Sequence, residues 1–491
     1  MLGSQTVYWY LVAGKLGWQH IRTMRKRNSP LAWGVVSGTA VWLLAMPSTS
    51  AQTLPNLAIS PGTNHTVGLS WPYANSGFAL QQTATLPSSN WLTATLSPTF
   101  ASNAAVFSVS APATNSAGFF RLALPADLRG IFVYSSDVTG ISTDYAQMVS
   151  NSLDVSGVDG LVLVIGWNSL EPTNGQFAWT TLDPWITEAA SQGKKIDLAI
   201  PAGVDTPGWL FQPATDGGAG ASPLVFTISP HQGATSNCIS ETIAAPWDPA
   251  FLNSWNAMLT NLASHLQSAG TYSNVTLLRL TGINRTTDEL RLPAETSQDT
   301  GLSCVSNAPE IWQAAGYTPD LLLYGWSNIV DSFQASFPDK SFSVAIIPTN
   351  AFPSINNNGQ ITNNLPDPNQ PLLAFAAQKL VGRLVVQYNF LMTSNPADPS
   401  VIQSARQYGT LVAYQSNNYY GSTGGGAACG GTITNPVLCT DATYLNELDE
   451  GIYPLTSTNA LRAQYIEAFP TNAIVFTNAI WQAHEELFAP P

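Results

Sequence analysis

The chain has 491 residues, of which 45% are hydrophobic and only 10% charged, with 37 Gly, 34 Pro and 15 Trp. Charge that sparse, against roughly 25% in an ordinary soluble domain, excludes a coiled coil or a charged disordered tail, and the length leaves room for two or three domains with a sizeable core. All 30 Asp and Glu lie beyond residue 51, where 12 basic residues remain and the formal charge is −18; neutralising phosphates needs a basic surface, so nucleic acid is excluded as a partner.

At the N-terminus, Arg25-Lys26-Arg27 precedes an apolar run from Leu31 to Met46 and the small residues Ser48-Thr49-Ser50-Ala51. That order reads as a secretory signal peptide cleaved after Ala51, and the apolar run is shorter than the roughly 20 residues of a spanning helix. Residues 1–51 are thus an N-terminal extension and signal, and the mature protein is expected to be secreted, periplasmic or at the cell surface, with no stable membrane span. Cys238, Cys304, Cys429 and Cys439 are an even set in a chain expected to be exported, which reads as two disulfides. Of the three pairings, Cys429–Cys439 with Cys238–Cys304 is preferred. Without a C-x-x-C, and with five scattered His, no metal site is expected.

Residues 54–125 are rich in Ser, Thr, Asn and Ala and break into short alternating runs, 65–71, 77–84, 105–112 and 118–125. Such runs between turn residues predict a small antiparallel β-sandwich. The succession Ser70-Trp71-Pro72, Gly77 to Thr83, Trp91 and Phe119-Phe120-Arg121-Leu122 resembles the fibronectin-like modules of exported bacterial proteins. The resemblance implies a spacer or adhesion module, with Trp71 and Trp91 in its core.

From residue 128 to 490 the rhythm changes to apolar runs followed by longer helix-period stretches. Eight strands are predicted at 130–136, 160–167, 195–202, 275–282, 341–348, 383–390, 410–417 and 463–470, with helices at 180–192, 250–269, 319–336, 371–382, 399–408 and 471–488. Eight such units predict an α/β fold, a (β/α)8 barrel with long loops. A doubly wound open sheet is the alternative, but no Gly-rich phosphate fingerprint follows the first strand.

In such a barrel the chemistry belongs at the C-terminal strand ends. These carry Trp167, Asn168 and Glu171, then Asp205 and Trp209, Asn284 and Glu289, Asn350, Tyr388 and Asn389, Gln415 and Asn417, and Glu467. Carboxylates and amides bind hydroxyl pairs and indoles stack on sugar rings, so the set predicts a neutral carbohydrate ligand. Gly-x-Ser-x-Gly and phosphate loops are absent, which excludes a serine hydrolase and nucleotide chemistry; no cofactor is expected.

The segment Trp167 to Trp179, with Glu171-Pro172, Gly175 and Phe177, followed by Leu182-Asp183 and Gly193-Lys194, resembles the loop after the second strand of barrel glycoside hydrolases of the β-galactosidase and cellulase-like clan. The resemblance implies a retaining glycosidase whose acid/base Glu ends strand four after an Asn and whose nucleophile Glu ends strand seven. Here Asn284 is followed by Arg285, the first Glu is Glu289, and Gln415 stands at the end of strand seven. Cleavage needs two carboxyls, roughly 5 Å apart for retention or 6.5–9.5 Å for inversion. Three outcomes stay open: Glu289 as general acid with Glu467 as its catalytic partner; Asp205 or Asp288 in an inverting pair; or a barrel that binds glycans without cutting them. Trp167, Asn168, Asp205, Trp209, Asn284, Tyr388, Asn389, Gln415 and Asn417 are expected to bind substrate, and Glu171 to organise its loop.

Overall fold

The computed structural model describes residues 57–62, 66–72, 79–84, 92–93, 99–101, 106–112, 118–123, 127–228, 239–285, 287–294, 307–347, 351–362, 369–391, 399–416, 440–453 and 461–489, and before them 9–12, 24–26, 29–36 and 39–44. Asn350, Asn417, Trp91 and the four cysteines lie outside the described residues. The chain divides into two compact units: residues 1–127 with 377–384 and 406–411, and residues 128–376, 385–405 and 412–491.

In the first unit, strand Thr66–Pro72 alternates between buried and half-buried positions, and Val106–Pro112 pairs with it antiparallel. The register sets Trp71 opposite Phe107, Leu69 opposite Val109 and Val67 opposite Ala111. All six are buried, and the Trp71 and Phe107 rings stack 5.6 Å apart. A period-2 pattern puts every second side chain on one face, so these pairs are the core. Trp71 is core, as expected.

The second unit is a closed barrel of eight parallel strands. They are β1 Gly130–Asp137, β2 Val158–Val164, β3 Lys195–Ala199, β4 Val275–Arg279, β5 Ser341–Ile346, β6 Leu384–Leu391, β7 Leu411–Ser416 and β8 Tyr465–Ala468. β8 closes on β1 with Tyr465 opposite Gly130. Every predicted strand is present, with bounds that differ by up to three residues at either end. The runs are apolar on both faces because helices cover the outside and side chains fill the inside. Helices Leu182–Ser191, Pro249–Ser268 and Pro319–Ser336 lie where the 3.6 period puts them. Asp248 accepts from the Ala250 and Phe251 amides at the start of the second, and Thr318 accepts from Leu321 at the start of the third. The predicted helix over 471–488 is instead two, Pro470–Val475 and Thr477–Phe488, with Phe476 (φ −108°, ψ 52°) out of helical geometry between them.

Two features shape the mouth of the barrel. An antiparallel ribbon, Pro223–Ile228 with Ile239–Ala244, is inserted after β3. Gly203 holds φ +42°, and a Cβ there would come 1.9 Å from the Arg285 carbonyl oxygen, so only glycine lets the loop after β3 lie on the loop after β4. Among the described residues no helix is long and apolar enough to cross a membrane.

Candidate active site

β4 ends in Arg279, a guanidinium with no exposure inside the barrel. It donates to Asp197 of β3 at 2.9 Å, to Asp288 in the loop after β4 and to Glu467 of β8, and reaches Gln387 of β6 at 3.2 Å. Burial would lower its proton affinity, but the carboxylates of Glu467, Asp288 and Asp197 outweigh that and hold it charged. One cation among three carboxylates leaves excess negative charge. Accordingly, burial pushes Glu467 up to about 7, against the pull of Arg279, and pushes Asp197 up as well.

Glu467 therefore sits on the barrel floor rather than in a cleft. Its side chain is fully enclosed, held by Arg279 and by a 2.8 Å hydrogen bond from Gln415 Nε2. This corrects its expected role in direct catalysis, because a carboxyl with no exposed surface cannot meet a sugar. Gln415 spends its amide on Glu467 and is itself buried.

Glu289 is half-buried one step above the floor. Asn389 Nδ2 donates to its Oε1 at 3.2 Å, and the Thr287 hydroxyl donates to its Oε2. Beside it, the Tyr134 hydroxyl of β1 donates to Asp288 Oδ1 at 3.0 Å. Burial, then the charges of Asp288 and Glu289, raise Tyr134 well above its ordinary value, and Glu467 adds to this, so Glu289 and Glu467 share one electrostatic neighbourhood.

On the rim, Asp205 follows β3 in a short 3-10 turn and packs on the backbone of Gly166, where an added Cβ would stand 3.0 Å from both its Cβ and its Cγ. Asn168 is exposed beside it. Burial, with the carboxylates of Asp137 and Glu241, pushes Asp205 up to about 7. The Asp205 loop is tied to the Glu289 loop: Val204 N–H donates to Arg285 O at 3.0 Å and Ala202 N–H to Asn284 Oδ1 at 3.1 Å.

Two further expected substrate contacts are structural. Trp167 has no exposed surface; its ring meets those of Trp209, Phe251 and Trp255 at 5.9, 6.0 and 5.1 Å. Asn284 is 2% exposed; its oxygen accepts from the Ala202 and Gly282 amides and its Nδ2 donates to Thr287 O, so it ties the loops after β3 and β4 together. Trp209 is half-buried and donates to Glu171 O at 2.8 Å. Glu171 organises its loop, accepting from Trp167 Nε1 and Gly175 N–H, both at 2.9 Å. Tyr388 is buried against Phe390, and Asn389 lies beneath Glu289. Arg279, Asp197, Gln387 and Tyr134 are not among the residues expected from the sequence; for the first three the available signal was a charged or amide residue inside an otherwise apolar strand.

Comparison with known proteins adds a match to one family model over part of the chain. The model of Glyco_hydro_42, described as Beta-galactosidase, matches residues 137–267, from the end of β1 into the helix before β4. The match supports a glycosidase. No curated protein matches the chain. Among solved structures, the chain is similar to the catalytic domain of β-amylase from Paenibacillus polymyxa (12% identity, TM-score 0.46, covering 75% of this chain and 100% of that one). It is also similar to TsXylA, an intracellular xylanase from Thermoanaerobacterium saccharolyticum (12%, 0.39, 72% and 96%), and to GH10 from Paenibacillus barcinonensis (10%, 0.36, 70% and 84%).

Proposed function

We propose that the chain is an exported glycoside hydrolase, a small fibronectin-like β-sandwich over 54–125 followed by a barrel that cleaves O-glycosidic bonds of a neutral polysaccharide or oligosaccharide. One observation carries this reading: adjoining loops hold two carboxyls in opposite surroundings. Asp205 is pushed up to about 7 by burial and then by the carboxylates of Asp137 and Glu241, whereas Glu289 accepts a hydrogen bond on each oxygen. Glycosidic cleavage needs two carboxyls in different roles, one a proton donor and the other a base or nucleophile. Asp205 gives its proton to the glycosidic oxygen as the bond from the anomeric carbon breaks. Glu289 supports the positive charge that develops there and serves the incoming water or carbon as base or nucleophile. Exposed Asn168 is placed to bind sugar hydroxyls beside Asp205.

The test is a screen of aryl β-galactosides and other aryl glycosides, suggested by the family match. Glu289→Gln should lower kcat/KM by about 10² or more, the size of a positioned acid–base group. Asp205→Asn should cost far more with a poor leaving group, such as a methyl glycoside, than with 4-nitrophenyl. Unchanged turnover in Glu289→Gln would remove that residue from the site.

A second reading, glycan binding without cleavage, is favoured by Gln415 at the end of β7, where the family resemblance implies a carboxyl. Calorimetric binding of oligosaccharides by a wild-type chain that turns over no glycoside would establish it. Export rests on the basic, apolar and small-residue order before Gln52, and two disulfides among Cys238, Cys304, Cys429 and Cys439 belong to the same reading. N-terminal sequencing of the secreted protein should begin at Gln52.

A further inference from the structure

Resting on the reading of Glu289 as the base or nucleophile, we infer that Gln387 is a positioning residue: its side-chain amide, oriented by Arg279, fixes the Asn389 amide so that an N–H faces Glu289. Gln387 has no exposed surface and lies two residues from Asn389 on β6, so both side chains point to the barrel interior. Gln387 Oε1 accepts from Arg279 Nη2 at 3.2 Å and from the Tyr465 hydroxyl at 2.6 Å. A guanidinium has no acceptor, so the end of the Gln387 amide that faces it must be the oxygen. Its NH2 is then turned toward Asn389, and Nε2 donates to Asn389 Oδ1 at 2.7 Å. With its own oxygen engaged, Asn389 can offer only N–H to Glu289, which is the bond seen at 3.2 Å.

Amide oxygen and nitrogen are ordinarily assigned from their surroundings; here the assignment follows from a donor-only cation at one end of the chain. The sense of the relay thus runs from Arg279 through two amides to the reacting carboxylate. A donor at that carboxylate favours its charged form, and an acceptor would favour its protonated form. Among the described residues, the Thr287 hydroxyl also donates to the second oxygen of Glu289, and the charges of Asp288, Glu289, Arg279 and Glu467 all act on Tyr134 of β1.

The test reverses the relay. Gln387→Glu replaces the donor facing Asn389 by an acceptor, so Asn389 turns and presents its oxygen to Glu289. The readout is difference infrared spectroscopy on the full chain with 13C-labelled Glu, the Glu289 carboxyl band being the one absent in Glu289→Gln. Its titration midpoint should move to higher pH in Gln387→Glu by about one pH unit, a tenfold change in proton affinity. The acidic limb of kcat/KM should move with it. Gln387→Met, which keeps the side-chain length and removes both amide ends, should shift the band in the same direction by less, and is the variant read if Gln387→Glu does not fold. An unmoved band in a folded variant overturns the relay. Because the band is read without substrate, a wild-type chain that cleaves nothing would sink the glycosidase reading, while the band position alone would still decide the relay.

Discussion

The barrel floor and the barrel rim each hold a carboxyl pushed up to about 7, Glu467 below and Asp205 above, by different constructions. Glu467 is wholly enclosed and bonded to a guanidinium that also serves Asp197 and Asp288. Asp205 is half-buried, and the charges that act on it are the carboxylates of Asp137 and Glu241. The first arrangement is an anchor in which charge, amide and hydroxyl tie the strands of the barrel together. The second leaves a carboxyl of raised proton affinity partly open to solvent. Equal proton affinity therefore does not mean equal role; access separates them.

The largest blow to this contrast is Arg279→Met. It leaves Asp197, Asp288 and Glu467 buried without their cation, and removing one partner of a buried ion pair costs about 3–5 kcal/mol. Urea unfolding should show that loss at pH 8 and a smaller one at pH 5, where protons replace the missing charge. A loss equal at both values would mean the three carboxyls are already neutral in the native protein.

A milder break is Glu171→Ala. Its carboxylate accepts from Trp167 and from exposed Gly175, and leaving the buried Trp167 N–H unsatisfied costs about 1–3 kcal/mol. Thermal unfolding should register this while KM for an aryl glycoside stays near the wild-type value; a changed KM with intact stability would move Glu171 into the site.

The smallest effect sharpens the contrast from the rim, and has the opposite sign. Asp205 binds its proton more tightly when folded than at its usual 3.8. The cost of ionising it in the native state is absent below about pH 4 and complete above about pH 7. Asp205→Asn should therefore raise stability by about 1 kcal/mol at pH 8, after discounting for partial exposure, and leave it unchanged at pH 4. Weaker stability at pH 8 would show that Asp205 makes native bonds that its asparagine cannot replace.

The strands are legible because a parallel barrel strand is apolar on both faces, and runs such as Leu161 to Ile165 admit little else. The break at Phe476 is not: the segments on both sides keep helical periodicity, and only local dihedrals separate them. The site is legible as a class and much less so as an assignment. Glu467 has the position of a catalytic residue because it ends a strand, but strand ends place the backbone and say nothing of depth. Arg279 interrupts the apolar run Val275 to Leu280, but its meaning depends on Asp197, Asp288 and Glu467, which lie 82, 9 and 188 residues away along the chain.

What the sequence determined by itself was periodicity, composition and local signals: an eight-fold alternation of strands and helices, acidic and amide-rich strand ends, and a loop after β2 that the Glyco_hydro_42 model also matches. Only the tertiary structure decided which carboxyls are sealed and which are open. Solvent access and the company of distant charges arise when β3, β4, β6 and β8 close around Arg279, and neither is a property of any stretch of chain alone.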